Sequence, residues 1–314
     1  MEYNNITYET DERVATITLN RPEKLNPLSH ALRGEIYDAM KEAEFDDSIG
    51  VIILKANGRA FSAGYDLAPQ EEESEYVSHR SGMPDTGSTH PQHYDWSRHA
   101  LMGHWMIWEL AKPVIAQVHG YCLAGGTELT SMCDMRIVAK DARIGYPPVR
   151  AMGTMDMMWA PWYMPMAKAH EFAYTGDWFS GEEMATYGWA NYAVEAEDLD
   201  EFTMKFAKRL GNIDNDQLNY NKRAVKRQYE IMGIRTGLMV GTDIEAMSKH
   251  RPAAGEFRRH VNESGLKAAL EWRDGPFNDF RGSRDSAPKE RALASKEGAD
   301  GATPGKGGYN AADD

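Results

Sequence analysis

Two stretches of this sequence hold residue types that could do carbonyl chemistry without a metal. The first runs from Val118 to Asp134, VHGYCLAGGTELTSMCD, where Gly125 and Gly126 precede a helical pattern carrying one acid, Glu128. Bare glycines before a helix let backbone N–H groups face a ligand oxygen, and the helix N-terminus adds partial positive charge. That combination can stabilise an enolate or oxyanion, and a carboxylate one turn further on can handle protons beside it. The same Gly-Gly pattern also serves plain close packing. The second stretch is Phe61-Ser62-Ala63-Gly64-Tyr65-Asp66-Leu67, another glycine turn after an apolar run. A further acid, Asp156, follows in Gly153-Thr154-Met155-Asp156; a loop or cap aspartate is the plainer reading. His79, His90, His93, His99 and His104 invite a metal hypothesis, but no pair has helical i, i+4 spacing within a plausible ligand set, so no metal is expected.

These residues need elements to hold them. Arg13 to Leu19 alternates apolar and β-branched residues and predicts a strand ending at the turn Asn20-Arg21-Pro22. Leu32, Ile36, Met40 and Ala43 share one face of an amphipathic helix. Val51 to Lys55 and Pro113 to Val118 are short continuous apolar runs, the mark of strands buried on both faces. Strand, helix, strand, glycine turn is the rhythm of parallel crossovers. Residues 68–99 lose periodicity and carry the acidic run Gln70 to Glu75; a loop this long reads as a lid, a binding loop or a disordered segment. Ser180 and Glu183 form a capping box, and from about Leu199 the pattern is helical, with breaks near Gly211, Gly233 and Pro252. The methionines and tryptophans between Met152 and Met166 read mostly as core or subunit contact.

The 314 residues carry a formal net charge of −13, which argues against nucleic acid or anionic lipid as main partner. Two cysteines, Cys122 and Cys133, show no metal-like clustering and suggest a reduced, cytoplasmic setting. The N-terminus has no signal-peptide pattern, and no run approaches the roughly 20 apolar residues of a membrane helix.

Two glycine turns about sixty residues apart, each after an apolar strand, are more specific than either alone. With LNRPEKLNPL, FSAGYDL, KPVIAQVHGYCLAGGTEL, MCDMRIVA, EEMATYGWANYAV and EWRDGPFNDF, the sequence resembles the crotonase superfamily, the enoyl-CoA hydratase/isomerase family, from about Val14 to Phe280. The resemblance implies an α/β fold, a spiral of ββα repeats with a C-terminal helical region. With the helical pattern it gives a core over residues 1–200 and a helical region over 201–282 involved in trimerisation, and the Gly, Ala, Lys and Asp composition of 283–314 reads as a flexible tail. The resemblance also implies an acyl-CoA thioester as substrate, coenzyme A being part of that substrate and no separate cofactor, in a homotrimer or dimer of trimers. By the family's motif the backbone N–H groups of Tyr65 and Gly125 would form the oxyanion hole. Lys24, Leu25, Ala63, Asp66 and Leu67 would line the coenzyme A path. Tyr65 is bulkier than the small residue common there, which would reshape the acyl pocket.

Glu128 matches the first of two glutamates used by hydratases; its plainer reading is a helix-start acid. The second glutamate's position falls on Pro148 or Val149, neither of which can move a proton. The turn containing Asp156 is similar to that of naphthoate synthase and 2-ketocyclohexanecarboxyl-CoA hydrolase. Three readings follow. One is hydratase or isomerase chemistry with Glu128 as acid/base and Asp156 as second group. Another is a hydrolase or lyase opening a cyclic β-keto acyl-CoA through Asp156. The third is an acyl-CoA-binding protein with little catalysis.

Overall fold

The computed structural model describes residues 2–67, 101–248, 251 and 254–277. The 68–99 loop, with His79, His90, His93 and His99, and the 283–314 tail lie outside the described residues. The chain divides into two compact units, Met1–Arg259 and His260–Asp314.

The first unit is built from strand pairs that turn a corner. β3 (Val51–Ala56) is followed at once by β4 (Ala60–Ser62), β5 (Val114–Val118) by β6 (Tyr121–Leu123), and β7 (Met135–Ala139) by β8 (Arg143–Gly145). The first strand of each pair enters a six-stranded sheet and the second a four-stranded sheet. Helices follow the first two pairs, at 101–109 and Gly125–Met132, which is the expected ββα repeat. In the larger sheet β1 (Ile6–Asp11) pairs antiparallel with β2 (Val14–Leu19), and β2, β3, β5, β7 and β10 (Tyr192–Val194) then run parallel. β9 (Trp178–Ser180) closes the smaller sheet antiparallel to β8.

The central strands are covered on both faces, which is why Val51 to Leu54 and Val114 to Val118 read as apolar runs; every one of these residues is buried. Ser29 caps the His30–Phe45 helix by accepting from Leu32 N at 3.1 Å, and its buried face carries Leu32, Ile36, Ala39, Met40 and Ala43. The capping box at Ser180 and Glu183 forms as expected at the start of the Gly181–Tyr187 helix. The methionine-rich stretch departs from a simple helical pattern: residues 152–158 are irregular before the short Ala160–Tyr163 helix. Met155 and Met157 are core residues, whereas Met166 is 77% exposed. Two prolines, Pro161 and Pro165, break this stretch into short pieces.

The Asn215–Ile231 helix is fastened to the middle of the large sheet by a charged knot. Asp134 accepts from Val114 N at the start of β5, and from Lys222 and Lys226 at 2.8 and 2.9 Å. Lys222 also donates to the Lys112 carbonyl. Burial opposes the Asp134 charge, but the two lysines outweigh it and hold the carboxyl below its usual range. One carboxylate cannot fully compensate two ammonium groups, and burial brings Lys226 down to about 8. No helix among the described residues is long and apolar enough to cross a membrane.

The second unit begins within the Ala254–Asp274 helix, which breaks at Gly265 (φ 83°), and ends in a 3-10 turn at Gly275–Phe277. His260 stacks on Trp272 with ring centroids 4.3 Å apart, and Arg273 pairs with Asp274.

Candidate active site

The two glycine turns meet at the corner between the sheets. Gly64 has φ +103°, and a Cβ there would stand 2.9 Å from Ala124 Cβ and 3.5 Å from Gly125 N, so only glycine allows the approach. Gly125 is the first residue of the Gly125–Met132 helix, where a backbone N–H has no acceptor within the helix. Ala124, before it, holds φ 48°, ψ −120°, a conformation that costs an L-residue on the order of 1–3 kcal/mol and persists where surroundings enforce it. The Ala124 N–H is tied to the Gly145 carbonyl at 2.9 Å.

The segment holding Lys24 and Leu25 lies alongside Ala63–Leu67. Ala63 N donates to Leu25 O, Leu28 N to Gly64 O, and Asp66 N to Leu28 O. Buried Asn26 fixes the loop by donating to the Asn57 and Ala60 carbonyls. Asp66 pairs with Arg21 at 3.0 Å; Lys24 and Leu67 are exposed. The structure thus brings together all five residues expected along the coenzyme A path.

Glu128 lies on the first turn of its helix and is fully buried. Its Oε2 accepts from the Tyr65 hydroxyl at 2.6 Å, and its Oε1 from the Tyr146 hydroxyl at 2.7 Å and Met157 N at 3.0 Å. Burial first, and the Asp156 carboxylate second, push its pKa up to about 8 despite these donors. Asp156 joins the same cluster: its Oδ2 lies 3.2 Å from the Tyr146 hydroxyl, and its N–H donates to that oxygen at 3.1 Å. Burial and the two carboxylates raise both phenols well above 10.

On the other side, the Tyr65 hydroxyl lies 3.1 Å from His104 Nε2, and His104 Nδ1 lies 2.9 Å from the Tyr37 hydroxyl. His104 is fully buried on the 101–109 helix, its ring nearly parallel to that of Tyr65. Gly103 lets Tyr37 approach, since a Cβ there would stand 2.7 Å from its hydroxyl.

Glu128, Asp156, Tyr65 and Gly125 therefore share one site. Sequence reasoning missed the Tyr65 side chain, expected to act only through its amide, and it missed Tyr146, His104 and Tyr37. The G-x-P position gave a signal that could have been used: Tyr146 stands where a neighbouring residue had been searched for an acid. Pro148 and Val149 belong to the Pro147–Arg150 3-10 turn, which Arg150 pins to Asp177 at 2.7 Å and to the Thr175 carbonyl.

A corner-turning ββα spiral with two apposed glycine turns and a buried acid defines a class of α/β enzyme. The enoyl-CoA hydratase/isomerase family model matches residues 9–279, and the chain belongs to that family, within the crotonase superfamily. It is similar to a probable mitochondrial enoyl-CoA hydratase of Dictyostelium discoideum, 30% identical over 274 residues, spanning 85% of this chain and 88% of that one. Among solved structures it is similar to an enoyl-CoA hydratase from Mycobacterium smegmatis, with TM-score 0.80 and 30% identity over 90% of this chain and 98% of the other. An enoyl-CoA hydratase/isomerase from Xanthobacter autotrophicus Py2 aligns with TM-score 0.76 and 32% identity, over 88% and 99%.

Proposed function

We propose that the protein hydrates or isomerises a 2-enoyl-CoA thioester through an enolate. The thioester carbonyl lies between the Tyr65 and Gly125 N–H groups, and Lys24, Leu25, Ala63, Asp66 and Leu67 border the coenzyme A. Opposite the oxyanion donors Glu128 acts as acid/base and Asp156 as the second group, holding the water. The observation that carries the reading is the buried Glu128 next to the two apposed turns, its pKa pushed up to about 8 by burial and Asp156, which suits it to give a proton to the α-carbon. Two backbone donors aimed at a developing oxyanion stabilise the enolate, and the carboxyl quenches it.

The test is mass spectrometry of a thioester panel, wild type beside Glu128→Gln. Gain of one water by an enoyl-CoA, lost in the variant, is the expected outcome; failure to bind any coenzyme A thioester would sink the reading. The place of Asp156 beside Glu128 favours one other reading, opening of a cyclic β-keto acyl-CoA. In that case only the cyclic ketone gains water, and Asp156→Asn abolishes the gain.

A further inference from the structure

The family's second glutamate has no counterpart at Pro148 or Val149, yet a catalyst that both accepts and donates protons needs a second place to keep one. The hydrogen-bond chain running through Tyr65 ends on such a place. We infer that His104 and Glu128 share one proton through the Tyr65 hydroxyl, which makes Tyr65 and His104 positioning residues of the acid/base machinery. The inference rests on the reading of Glu128 as acid/base.

The contacts are Glu128 Oε2 to Tyr65 Oη at 2.6 Å, Tyr65 Oη to His104 Nε2 at 3.1 Å, and His104 Nδ1 to Tyr37 Oη at 2.9 Å. In one state Glu128 carries the proton, Tyr65 donates to His104 Nε2, and the imidazole donates from Nδ1 to Tyr37. In the other, the Glu128 O–H bond has broken and an N–H bond has formed at Nε2. Tyr65 takes the proton from Glu128 as it gives its own to His104. A neutral acid and a neutral imidazole become a carboxylate and an imidazolium, with no atom or electron gained.

Charges of both signs lie along the chain: the Glu128 and Asp156 carboxyls at one end, and Arg33 on the His30–Phe45 helix, 5.6 Å from the Tyr65 ring centroid. Arg33 is itself in contact with His30 Nδ1 at 3.0 Å. The phenols of Tyr37 and Tyr146 are held neutral, Tyr37 by burial that lifts it to about 12. Neutral phenols conduct a proton and do not trap it.

The test uses the full chain with Tyr65→Phe and His104→Gln, and the enoyl-CoA that the panel identifies. Tyr65→Phe keeps the backbone N–H, so KM should stay within about threefold while kcat falls by roughly a hundredfold, the scale of acid–base catalysis. His104→Gln should lower kcat likewise and change its pH profile. An independent readout needs no turnover. Infrared difference spectra against Glu128→Gln follow the carboxyl, and nitrogen NMR follows His104, both across pH in the unliganded protein. While the one proton is shared, the carboxyl and the imidazole should each read as partly protonated and lose it together as pH rises, and His104→Gln should leave the carboxyl protonated to higher pH. An imidazole that stays singly protonated while Glu128 titrates overturns the inference, as do wild-type kcat and pH profile in both variants. Full activity in Glu128→Gln would instead remove the acid/base reading beneath it.

Discussion

Glu128 lies within 3.0 Å of the Tyr65 hydroxyl, the Tyr146 hydroxyl and Met157 N, yet burial first and Asp156 second push its pKa up to about 8. The acid form is therefore present below about 8 and lost above it. If Glu128 delivers the proton, kcat/KM for hydration falls as pH rises through about 8, and a rise over that range would assign it the opposite role. Stability follows the same proton. The unfolded carboxyl ionises from about 4.5, so between there and about 8 the folded chain holds more protons and loses stability as pH rises. Glu128→Gln cannot ionise, so its melting temperature relative to wild type should climb between about pH 5 and pH 8. Glu128 and Asp156 were legible from motif and type. Tyr146, His104 and the Tyr65 hydroxyl were not, because three separate elements bring them to Glu128 and no local pattern announces a contact across 39 or 63 residues.

At the scale of elements, the strands and caps were readable because burial on two faces and N-capping leave local marks: Val51–Ala56, Val114–Val118 and the Ser180 box all form where the pattern predicts them. The irregular 152–158 segment was not, since its methionines suit a helix and its conformation is set by what it packs on. The start of the Gly125–Met132 helix permits a sharper test. A Cβ on Gly125 would stand 2.7 Å from the Tyr65 ring, whose hydroxyl is held by Glu128 and His104. Gly125→Ala should therefore lose stability, the gain of a better helix former being outweighed as the ring is pushed off Glu128 and His104, and lose turnover as Tyr65→Phe does. Thermal melting beside kcat measures both, and an unchanged kcat would mean the ring tolerates the methyl without leaving Glu128. At the Asp134 knot, Asp134→Asn leaves two buried ammonium groups unpaired, which costs about 3–5 kcal/mol, read as a lowered urea midpoint.

For the whole molecule, the ββα spiral was expected from the resemblance that the two glycine turns and their neighbouring motifs carry, and the two-sheet topology has that form. Assembly is the larger question. Ile231, Met232 and Met247 are 74%, 67% and 59% exposed near the ends of the helices Asn215–Ile231 and Ile234–Ser248. Apolar side chains so exposed favour burial against another copy, in line with a homotrimer or dimer of trimers. Sedimentation should give a trimer or hexamer, dissociating on Met232→Asp; a wild-type monomer would end that view. The knot at Asp134 bears on how the molecule comes into being. On the ribosome β5 and β7 emerge well before Lys222 and Lys226, so Asp134 faces water until both lysines are made. The knot is thus closed by residues made late, and a nascent chain stalled before Asn215 should leave its middle strands less protected from protease than the full chain does.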